Sequence, residues 1–288
     1  MSGTFLRSLR TLLLLGRISN IPTVWSNCLA GWWLGEVHDF HPLPLLILGA
    51  TFLYIGGMFL NDACDAVFDR QYRAERPIPS GHISRPAVWL WGFAWLLLGS
   101  IFLFLVNSIC GCLGLLLGGF ILLYDILHKH ISFAPALMGC CRLMLYLVAA
   151  SAAAHHLAGQ AVWSGLVLAA YIVGLSFFAR NESFRGPLRW WPALLLASPL
   201  LLALLMNSGP YRQNALLLGA VLALWCLRCI RFIVSSADRD VGRAVSGLLA
   251  GIVFVDWLAV ADGPRELSFA FLLLFGLALL LQKFVPAT

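Results

Sequence analysis

The sequence predicts an all-α membrane protein, a polytopic bundle of about nine to ten transmembrane helices. Of the 288 residues, 61% are hydrophobic and only 11% are charged. Soluble domains typically have about 45–50% hydrophobic and about 25% charged residues. The mean hydropathy is +0.88. Apolar runs recur at intervals of about 20 residues, the length that a helix needs to cross a bilayer. These features exclude an ordinary soluble enzyme and a disordered chain.

Ten apolar segments mark the predicted spans. They cover residues 18–37, 43–62, 86–106, 109–127, 133–155, 161–179, 190–206, 213–234, 244–261 and 267–284. Helix-ending sequences such as RPIPSG at 76–81 separate them. No polar connection is long enough for a soluble domain, so residues 1–288 are expected to form a single membrane domain. The first residues, MSGTFLRSLRTLLLLGR, are interpreted as an amphipathic lead-in to the first span.

Charge placement predicts the orientation. The net charge is +6, but no Lys/Arg-rich patch with interleaved aromatics occurs, so nucleic acid is not an expected partner. Most of the 19 Lys and Arg residues fall in alternate loops, which the positive-inside rule places in the cytoplasm together with the N-terminus. In a bacterium this would be the inner membrane. The eight cysteines lie mostly inside apolar runs, which argues against a disulfide framework.

The stretch FLNDACDAVFDRQYRAERPIPSG, residues 59–81, contains the strongest chemical signal. Asp62, Asp65 and Asp69 are spaced i, i+3 and i+7, so a helix places the three carboxylates on one face, with the amide of Asn61 at its edge. Ionisable groups this close to a membrane are costly and are expected to be functional. A divalent cation relieves their repulsion, and Mg²⁺ prefers one or two carboxylates with phosphate oxygens and waters.

Three arginines follow the acidic face: Arg70, Arg73 and Arg76. Guanidinium groups form forked hydrogen bonds with phosphate oxygens. An acidic face followed by a basic loop therefore predicts a site for a metal–diphosphate complex. A solvated helix end with mixed charges is the plainer alternative. The register of the carboxylates, which begin inside an apolar run, favours the metal site.

The pattern NDxxDxxxD followed by RPIPSG resembles the UbiA superfamily of intramembrane prenyltransferases, over essentially the whole chain. The resemblance implies a ring of transmembrane helices around a central cavity. It also implies two Asp-rich motifs that hold Mg²⁺ and a prenyl diphosphate, with transfer of the prenyl group to an aromatic or other lipophilic acceptor. On this basis Asp62 and Asp65 would be catalytic metal ligands, and Asn61 and Asp69 would complete the first metal site.

Other positions match the family by resemblance. Arg17 and Asn20 would lie on the first helix near the cavity mouth and bind substrate. Tyr124 and Lys129, in LLYDILHKH, resemble a Tyr and a Lys that follow the fourth helix. That Lys contacts the diphosphate, so Lys129 is expected to be catalytic and Tyr124 to bind substrate. Arg73 and Arg76 would bind the diphosphate as well.

The second Asp-rich motif is missing. Where it is expected after the sixth span, the chain reads GLSFFARNESFRGP. Glu182 remains as a candidate oxygen ligand for the metal, and Arg180 as a direct contact to phosphate. Loss of a metal site could equally mean that the protein no longer ionises diphosphates. The MGCCRLMLYL stretch and the FARNE run most resemble the EboC-like branch of the superfamily.

Two further charged residues lie within predicted spans. A charged Arg142 within the membrane costs free energy unless it faces a cavity or a carboxylate. Two roles are therefore possible: contact with the diphosphate or the acceptor, and a structural ion pair. For Asp256 a helix–helix hydrogen bond is expected.

Two functions remain from the sequence. The first is a Mg²⁺-dependent membrane prenyltransferase acting on a prenyl diphosphate and a lipophilic acceptor. The alternative is a non-catalytic relative that binds or transports a polyprenyl or other lipophilic molecule. The missing second motif is the main support for the alternative. The sequence leaves the oligomeric state open.

Overall fold

The computed structural model of the chain describes residues 2–36, 39–154, 158–180, 190–206, 211–234 and 240–287, and these contain helices but no strands. The elements are α1 Ser2–Leu15, a 3₁₀ turn Ile18–Asn20, α2 Ile21–Leu34, α3 Leu43–Tyr72, α4 Arg85–Val106, α5 Ser108–Leu127, α6 Ala134–Ala154, α7 Gly159–Arg180, α8 Trp191–Leu196, α9 Ser198–Met206, α10 Tyr211–Val234, α11 Val241–Ala259 and α12 Arg265–Gln282.

The all-α membrane fold predicted from the sequence is confirmed. In the described part of the chain, eight helices are long and apolar enough to cross a membrane: α3 to α7 and α10 to α12. The other two predicted spans are built differently. Within the predicted span 18–37, the described residues contain the 3₁₀ turn Ile18–Asn20 and the 14-residue α2, which ends at Leu34. Residues 190–206 form the two short helices α8 and α9, which are broken at Ala197. The protein is an integral, multi-pass membrane protein.

Helix α2 lies inside the bundle. It packs against α3, α6, α11 and α12, and nearly its whole circumference is buried. A helix that is apolar all round needs neighbours on every side, which explains why this helix is enclosed although it is short.

Nine further helices follow one another around α2 in chain order. Contacts run from α3 through α4, α5, α6 and α7 to α9, then through α10 and α11 to α12. Helix α2 connects the two ends of this series, because it contacts both α3 and α12. Since successive spans alternate in direction, the end of α3, the end of α5, the start of α6 and the end of α7 lie at the same side of the bundle.

Glycine allows α3 and α4 to cross closely. A methyl group added at Gly99 of α4 would lie 2.8 Å from the carbonyl oxygen of Gly49 on α3, and one added at Gly56 would lie 2.9 Å from the carbonyl oxygen of Gly92. Small residues at such crossings let helix backbones approach within a membrane. The close packing fixes α3, whose far end carries the acidic face.

A buried polar cluster joins α2, α6 and α11. Asp256 of α11 is fully buried and accepts hydrogen bonds from Ser26 and Asn27 of α2 and from the hydroxyl of Tyr146 on α6. The Asn27 and Tyr146 bonds are both 2.7 Å long. The helix–helix hydrogen bonding predicted for Asp256 is present, and it joins three helices.

We expect Asp256→Ala to lower the stability of the folded protein by at least about 1–3 kcal/mol, because buried donors on α2 and α6 lose their acceptor. The thermal unfolding midpoint of the detergent-purified protein measures the change. Asp262→Ala, which removes an exposed carboxylate in the next loop, is the matched control. Equal midpoints for the two variants would show that the cluster does not stabilise the bundle.

Candidate functional site

The three predicted carboxylates lie on the last turns of α3, facing into the protein. Helix α3 runs 30 residues, to Tyr72, so the helical register that aligns Asp62, Asp65 and Asp69 is kept throughout. Their side chains are 7%, 14% and 3% exposed. Buried carboxylates of this kind need cations or donors around them.

Two arginines from different segments meet at Asp62. Nη2 of Arg17 lies 3.2 Å from Oδ1 of Asp62 and also 3.2 Å from Oδ1 of Asn61. Nη1 of Arg76, in the loop after α3, lies 3.0 Å from the same Asp62 oxygen and 3.4 Å from Oδ2 of Asp69. Both arginines therefore bind carboxylates of the acidic face.

The backbone at Arg17 is held in an unfavourable conformation. Arg17 joins α1 to the 3₁₀ turn with a φ of 39° and a ψ of 54°. These angles lie in the left-handed region, which residues other than glycine rarely adopt. Such strain persists where surrounding contacts determine the geometry, and it is common at functional sites. Here the contacts are those of its guanidinium with Asn61 and Asp62.

The two guanidinium groups are in different electrostatic environments. Burial lowers the pKa of Arg17, but the charge and hydrogen bond of Asp62, together with Tyr54 and Tyr124, outweigh burial and raise the pKa above its ordinary value. The pKa of Arg76 is lowered by burial and by the positive charge of Arg17, which Asp62 and Asp69 only partly offset. Two cations that share one carboxylate favour further negative charge beside them.

Asp65 forms ion pairs with two side chains of the loop that follows α5. Its Oδ1 lies 2.6 Å from Nζ of Lys129 and 3.2 Å from Nε2 of His128. Nδ1 of His128 lies within 3.2 Å of the carbonyl oxygens of Tyr124 and Asp125. Both ring nitrogens thus face acceptors, as in a protonated imidazole. Burial lowers the pKa of His128, but the hydrogen bond and charge of Asp65 outweigh it and raise the pKa above its ordinary value.

Arg180, at the end of α7, holds the loop that carries Lys129. Its Nη1 donates to the carbonyl oxygen of Ser132 at 2.6 Å, and its Nη2 donates to those of His128 and Ile131 at 2.8 and 3.0 Å. We expected this residue to contact phosphate directly. The structure shows a guanidinium that lines the cavity and is bound to backbone carbonyls, so its evident effect is to position Lys129 and His128.

Asp125 is a site residue that sequence analysis missed. It is 4% exposed, and its Oδ1 accepts a hydrogen bond of 3.1 Å from Nδ2 of Asn61. This bond leaves the amide oxygen of Asn61 to accept from Arg17, and such outer partners orient the groups that ligate metals. Oδ2 of Asp125 is buried without a hydrogen-bond partner among the described residues. The sequence feature that could have identified Asp125 is its position as a carboxylate within a predicted apolar span.

Arg17, Arg76, Asp125, His128 and Arg180 also line a cavity of about 380 Å³, whereas the three carboxylates of the acidic face, Asn61 and Lys129 are not among its lining residues. Its charged and polar lining residues include Arg17, Asn20, Arg73, Arg76, Tyr124, Asp125, His128, Arg142 and Arg180. The apolar wall comes from six helices and includes Val24, Ala50, Leu53, Leu117, Ile121, Leu145, Ile172, Leu175, Val245 and Leu249. The volume and the apolar lining with a few convergent polar groups are typical of small-molecule sites.

The remaining predicted residues fall in different places. Tyr124 lines the cavity and stacks on His128, with ring centroids 5.2 Å apart. Arg73 lines the cavity and forms no ion pair with the described residues. Asn20 also lines the cavity, and its Nδ2 donates to the carbonyl oxygen of Ala287 at 2.9 Å. Glu182 lies outside the described residues.

The donor set fits Mg²⁺ shared with a substrate, not a metal enclosed by protein. In the described ranges no three His, Cys, Asp or Glu side chains lie close enough to hold a metal ion, because each carboxylate of the acidic face turns toward a cation. The available ligand atoms are all oxygens, from the side chains of Asn61, Asp62, Asp65 and Asp69. Mg²⁺ commonly takes one or two protein carboxylates and completes its shell with substrate phosphates and water.

Comparison of the sequence with known families and proteins agrees with the resemblance noted above. The model of the UbiA prenyltransferase family matches residues 19–252. A digeranylgeranylglyceryl phosphate synthase of Methanothrix thermoacetophila is 35% identical over 92 residues, which are 32% of this chain and 34% of the relative. A 4-hydroxybenzoate octaprenyltransferase of Photobacterium profundum is 38% identical over 74 residues, 25% of each chain. The matches thus span about a third or less of these relatives' length.

Solved structures share the fold over nearly the whole chain. A UbiA homologue from Archaeoglobus fulgidus bound to GPP and Mg²⁺ superposes with a TM-score of 0.63 at 15% identity, covering 95% of this chain and 99% of the homologue. A digeranylgeranylglyceryl phosphate synthase structure gives the same TM-score at 19% identity, covering 89% and 98%. At these identities the likeness concerns the fold.

We expect Arg180→Gln to loosen the loop between α5 and α6, because three backbone carbonyls lose a charged donor. Hydrogen–deuterium exchange should show the amides of His130 and Ile131, which donate to the carbonyl of Leu127, exchanging on the order of tenfold faster. Arg231→Gln, which alters an exposed arginine of α10, is the control. Unchanged exchange in the Arg180 variant would contradict the positioning role.

Proposed function

Because the chain belongs to the UbiA prenyltransferase family, we propose that it transfers a prenyl group from a prenyl diphosphate to a lipophilic, aromatic acceptor within the membrane, with Mg²⁺. The observation that carries this proposal is the charge pattern at the cavity opening. Three carboxylates on one helix are paired with cations from three other segments, and two of these cations, Arg17 and Arg76, also line a largely apolar cavity.

Mg²⁺ would be held by oxygens of the first motif. Asp62 and Asp65 are the principal ligands in this proposal, and Asn61, Asp69 and Glu182 are further candidates. When bound, Mg²⁺ neutralises the negative charge of the diphosphate as a Lewis acid. The ion pairs of Asp62 and Asp65 would then rearrange, with the carboxylates turning to the metal and the freed cations to the phosphate oxygens.

The cations provide the charge stabilisation for the leaving group. Lys129, Arg17 and Arg76 already converge on the acidic face, and Arg73 lines the opening. As the bond from the prenyl carbon to the diphosphate oxygen breaks, negative charge grows on that oxygen. Donors fixed in advance around such charge lower the barrier most effectively. Arg180 contributes by holding Lys129 and His128 in place.

The cavity wall surrounds the prenyl group, whose carbon becomes positively charged as the bond breaks. The prenyl chain fits among the apolar side chains, and its allylic carbon becomes electron-deficient at the cavity opening. Exclusion of water by the wall protects this carbon from hydrolysis. Tyr124, stacked on His128 at the opening, offers an aromatic face of the kind that attracts cations. The acceptor then attacks the carbon and loses a proton.

The orientation follows from charge. The positive-inside rule places the acidic face, the N-terminus and the loop after α5 in the cytoplasm. A water-soluble metal and diphosphate headgroup would reach the opening from that side, while the prenyl chain and the lipophilic acceptor would enter from the membrane lipid. Residues 1–288 act as one membrane domain in this proposal.

Diphosphate release tests the proposal. Purified protein in lipid nanodiscs is incubated with radiolabelled geranyl, farnesyl or geranylgeranyl diphosphate, Mg²⁺ and total membrane lipid as the acceptor source. We expect release that requires Mg²⁺ and yields a labelled lipid product. Asp62→Asn or Asp65→Asn should reduce the rate on the order of 100-fold or more, because charge stabilisation of the leaving group is lost.

Glu75→Gln is the matched control, since Glu75 is an exposed carboxylate in the loop that follows α3 and its loss should leave the rate unchanged. Tight Mg²⁺-dependent binding of the diphosphates without release would support the non-catalytic alternative instead. Equal rates for the Asp62, Asp65 and Glu75 variants would show that the acidic face is structural.

A further inference from the structure

The segment after α12 reaches the wall of the cavity. Helix α12 ends at Gln282, whose side-chain amide donates to the carbonyl oxygen of Ser246 on α11 at 3.0 Å. Residues 283–287, which we call the tail, leave the helix and run to the 3₁₀ turn between α1 and α2, where Ala287 lines the cavity together with Arg17 and Asn20. Part of the cavity wall is therefore a short segment that belongs to no helix.

Two side-chain hydrogen bonds hold the tail against the 3₁₀ turn. Nδ2 of Asn20 donates to the carbonyl oxygen of Ala287 at 2.9 Å, and Oγ of Ser19 donates to that of Pro286 at 3.5 Å. The side chains of Val285 and Ala287 are buried. The tail is thus packed in place, with two small apolar side chains turned inward.

The attachment of the tail is weak compared with that of the helices. The amides of Lys283, Phe284 and Val285 complete the last turn of α12 by donating to the carbonyls of Leu280 and Leu281. Beyond them, no amide of the tail donates to another described residue. Segments with few buried contacts and few backbone hydrogen bonds open locally at low free energy. The tail can therefore leave the cavity while the helices stay packed.

Asn20 is the residue at which the tail and an anionic ligand compete. It lies three residues after Arg17, whose guanidinium binds Asp62. Nδ2 of Asn20 is a donor that suits a phosphate oxygen, and the tail occupies it. Oδ1 of Asn20 is buried without a hydrogen-bond partner in the described part of the chain, and an unmade bond of this kind costs free energy. A hydrated diphosphate offers acceptor oxygens and donor waters, so it satisfies both ends of the amide, whereas the tail satisfies one.

We propose that the tail is an autoinhibitory latch, which occupies Asn20 and covers the cavity beside Arg17 until an anionic ligand, the prenyl diphosphate, displaces it. The identity of the ligand rests on the proposed function, whereas control of access to the cavity does not. In the ligand-free protein the open state is a minor population. The apparent affinity for the diphosphate is then lower than the intrinsic affinity by the fraction of open molecules.

Cysteine accessibility measures the latch without a substrate. Cys141 of α6 lines the cavity, whereas Cys64 of α3 does not, and both are partly exposed. The protein in nanodiscs is treated with a sulfonated methanethiosulfonate, an anion that does not cross lipid. Mass spectrometry of the peptides gives the rate of modification at each cysteine. We expect the tail to slow the reaction of Cys141 in the parent protein.

Two full-length variants and one truncation test whether the tail sets this rate. Val285→Ser weakens the buried attachment of the tail, so Cys141 should react on the order of tenfold faster. Phe284→Ser changes the exposed neighbouring side chain and is the matched control. Removal of residues 285–288 should raise the rate at least as much as Val285→Ser, and the rate at Cys64 should be the same in all four proteins. Equal rates at Cys141 in the parent, Val285→Ser and the truncated protein would overturn the latch.

Hydrogen–deuterium exchange of the unaltered protein keeps the test independent of how well the variants fold. Exchange of the C-terminal peptide is measured without ligand and with a saturating non-hydrolysable prenyl thiolodiphosphate and Mg²⁺. We expect the tail amides to exchange faster with the ligand bound, because the ligand displaces the tail. Slower exchange would show that the tail closes over the ligand, and unchanged exchange that it does not move; either result would overturn the proposal.

The affinity for the thiolodiphosphate separates this inference from the proposed function. Val285→Ser should bind it on the order of tenfold more tightly than the parent, because less of the protein is closed, and Phe284→Ser should bind like the parent. Equal or weaker binding by Val285→Ser would overturn the competition at Asn20. If none of the proteins binds the thiolodiphosphate while Cys141 still reacts faster in Val285→Ser, the proposed function fails and the latch stands as a gate for another anionic ligand.

Discussion

The structure depends on how three carboxylates at the end of α3 are neutralised. Asp62, Asp65 and Asp69 share one helix face, and buried like charges are tolerated only with cations close by. The cations come from the turn after α1, the loop after α3 and the loop after α5. Neutralising the acidic face therefore requires segments distant in sequence to meet at one side of the bundle, which is the side where the cavity opens.

The other polar features support that arrangement from further away. Arg180 fixes the loop that provides Lys129, and Asp125 binds the amide nitrogen of Asn61, whose oxygen accepts from Arg17. Deeper in the bundle, Asp256 joins α2, α6 and α11, and Asn27 connects this cluster with Arg142. Each is a polar or ionisable group within an apolar fold, where an unmade hydrogen bond is expensive. The polar network thus holds the helices around the cavity and lines it with polar groups.

Much of this could be predicted from the sequence, and the misses have physical causes. Hydropathy and helical spacing gave the all-α membrane fold and the aligned carboxylates, because both depend on local periodicity. The short helices α2, α8 and α9 were predicted as full spans, since an apolar run does not reveal where a helix breaks. The partners of Arg180 could not be predicted, because backbone carbonyls carry no sequence signal. Asp125 was missed although its place in an apolar run was a signal.

The central claim is that the acidic face holds a divalent metal together with a diphosphate. Electron–nuclear double resonance of Mn²⁺, as a substitute for Mg²⁺, measures this directly on the purified protein with a non-hydrolysable prenyl thiolodiphosphate. The account predicts phosphorus hyperfine coupling from the bound Mn²⁺, and loss of bound Mn²⁺ in Asp62→Asn. Bound Mn²⁺ without phosphorus coupling, or the same coupling in Asp62→Asn, would contradict it.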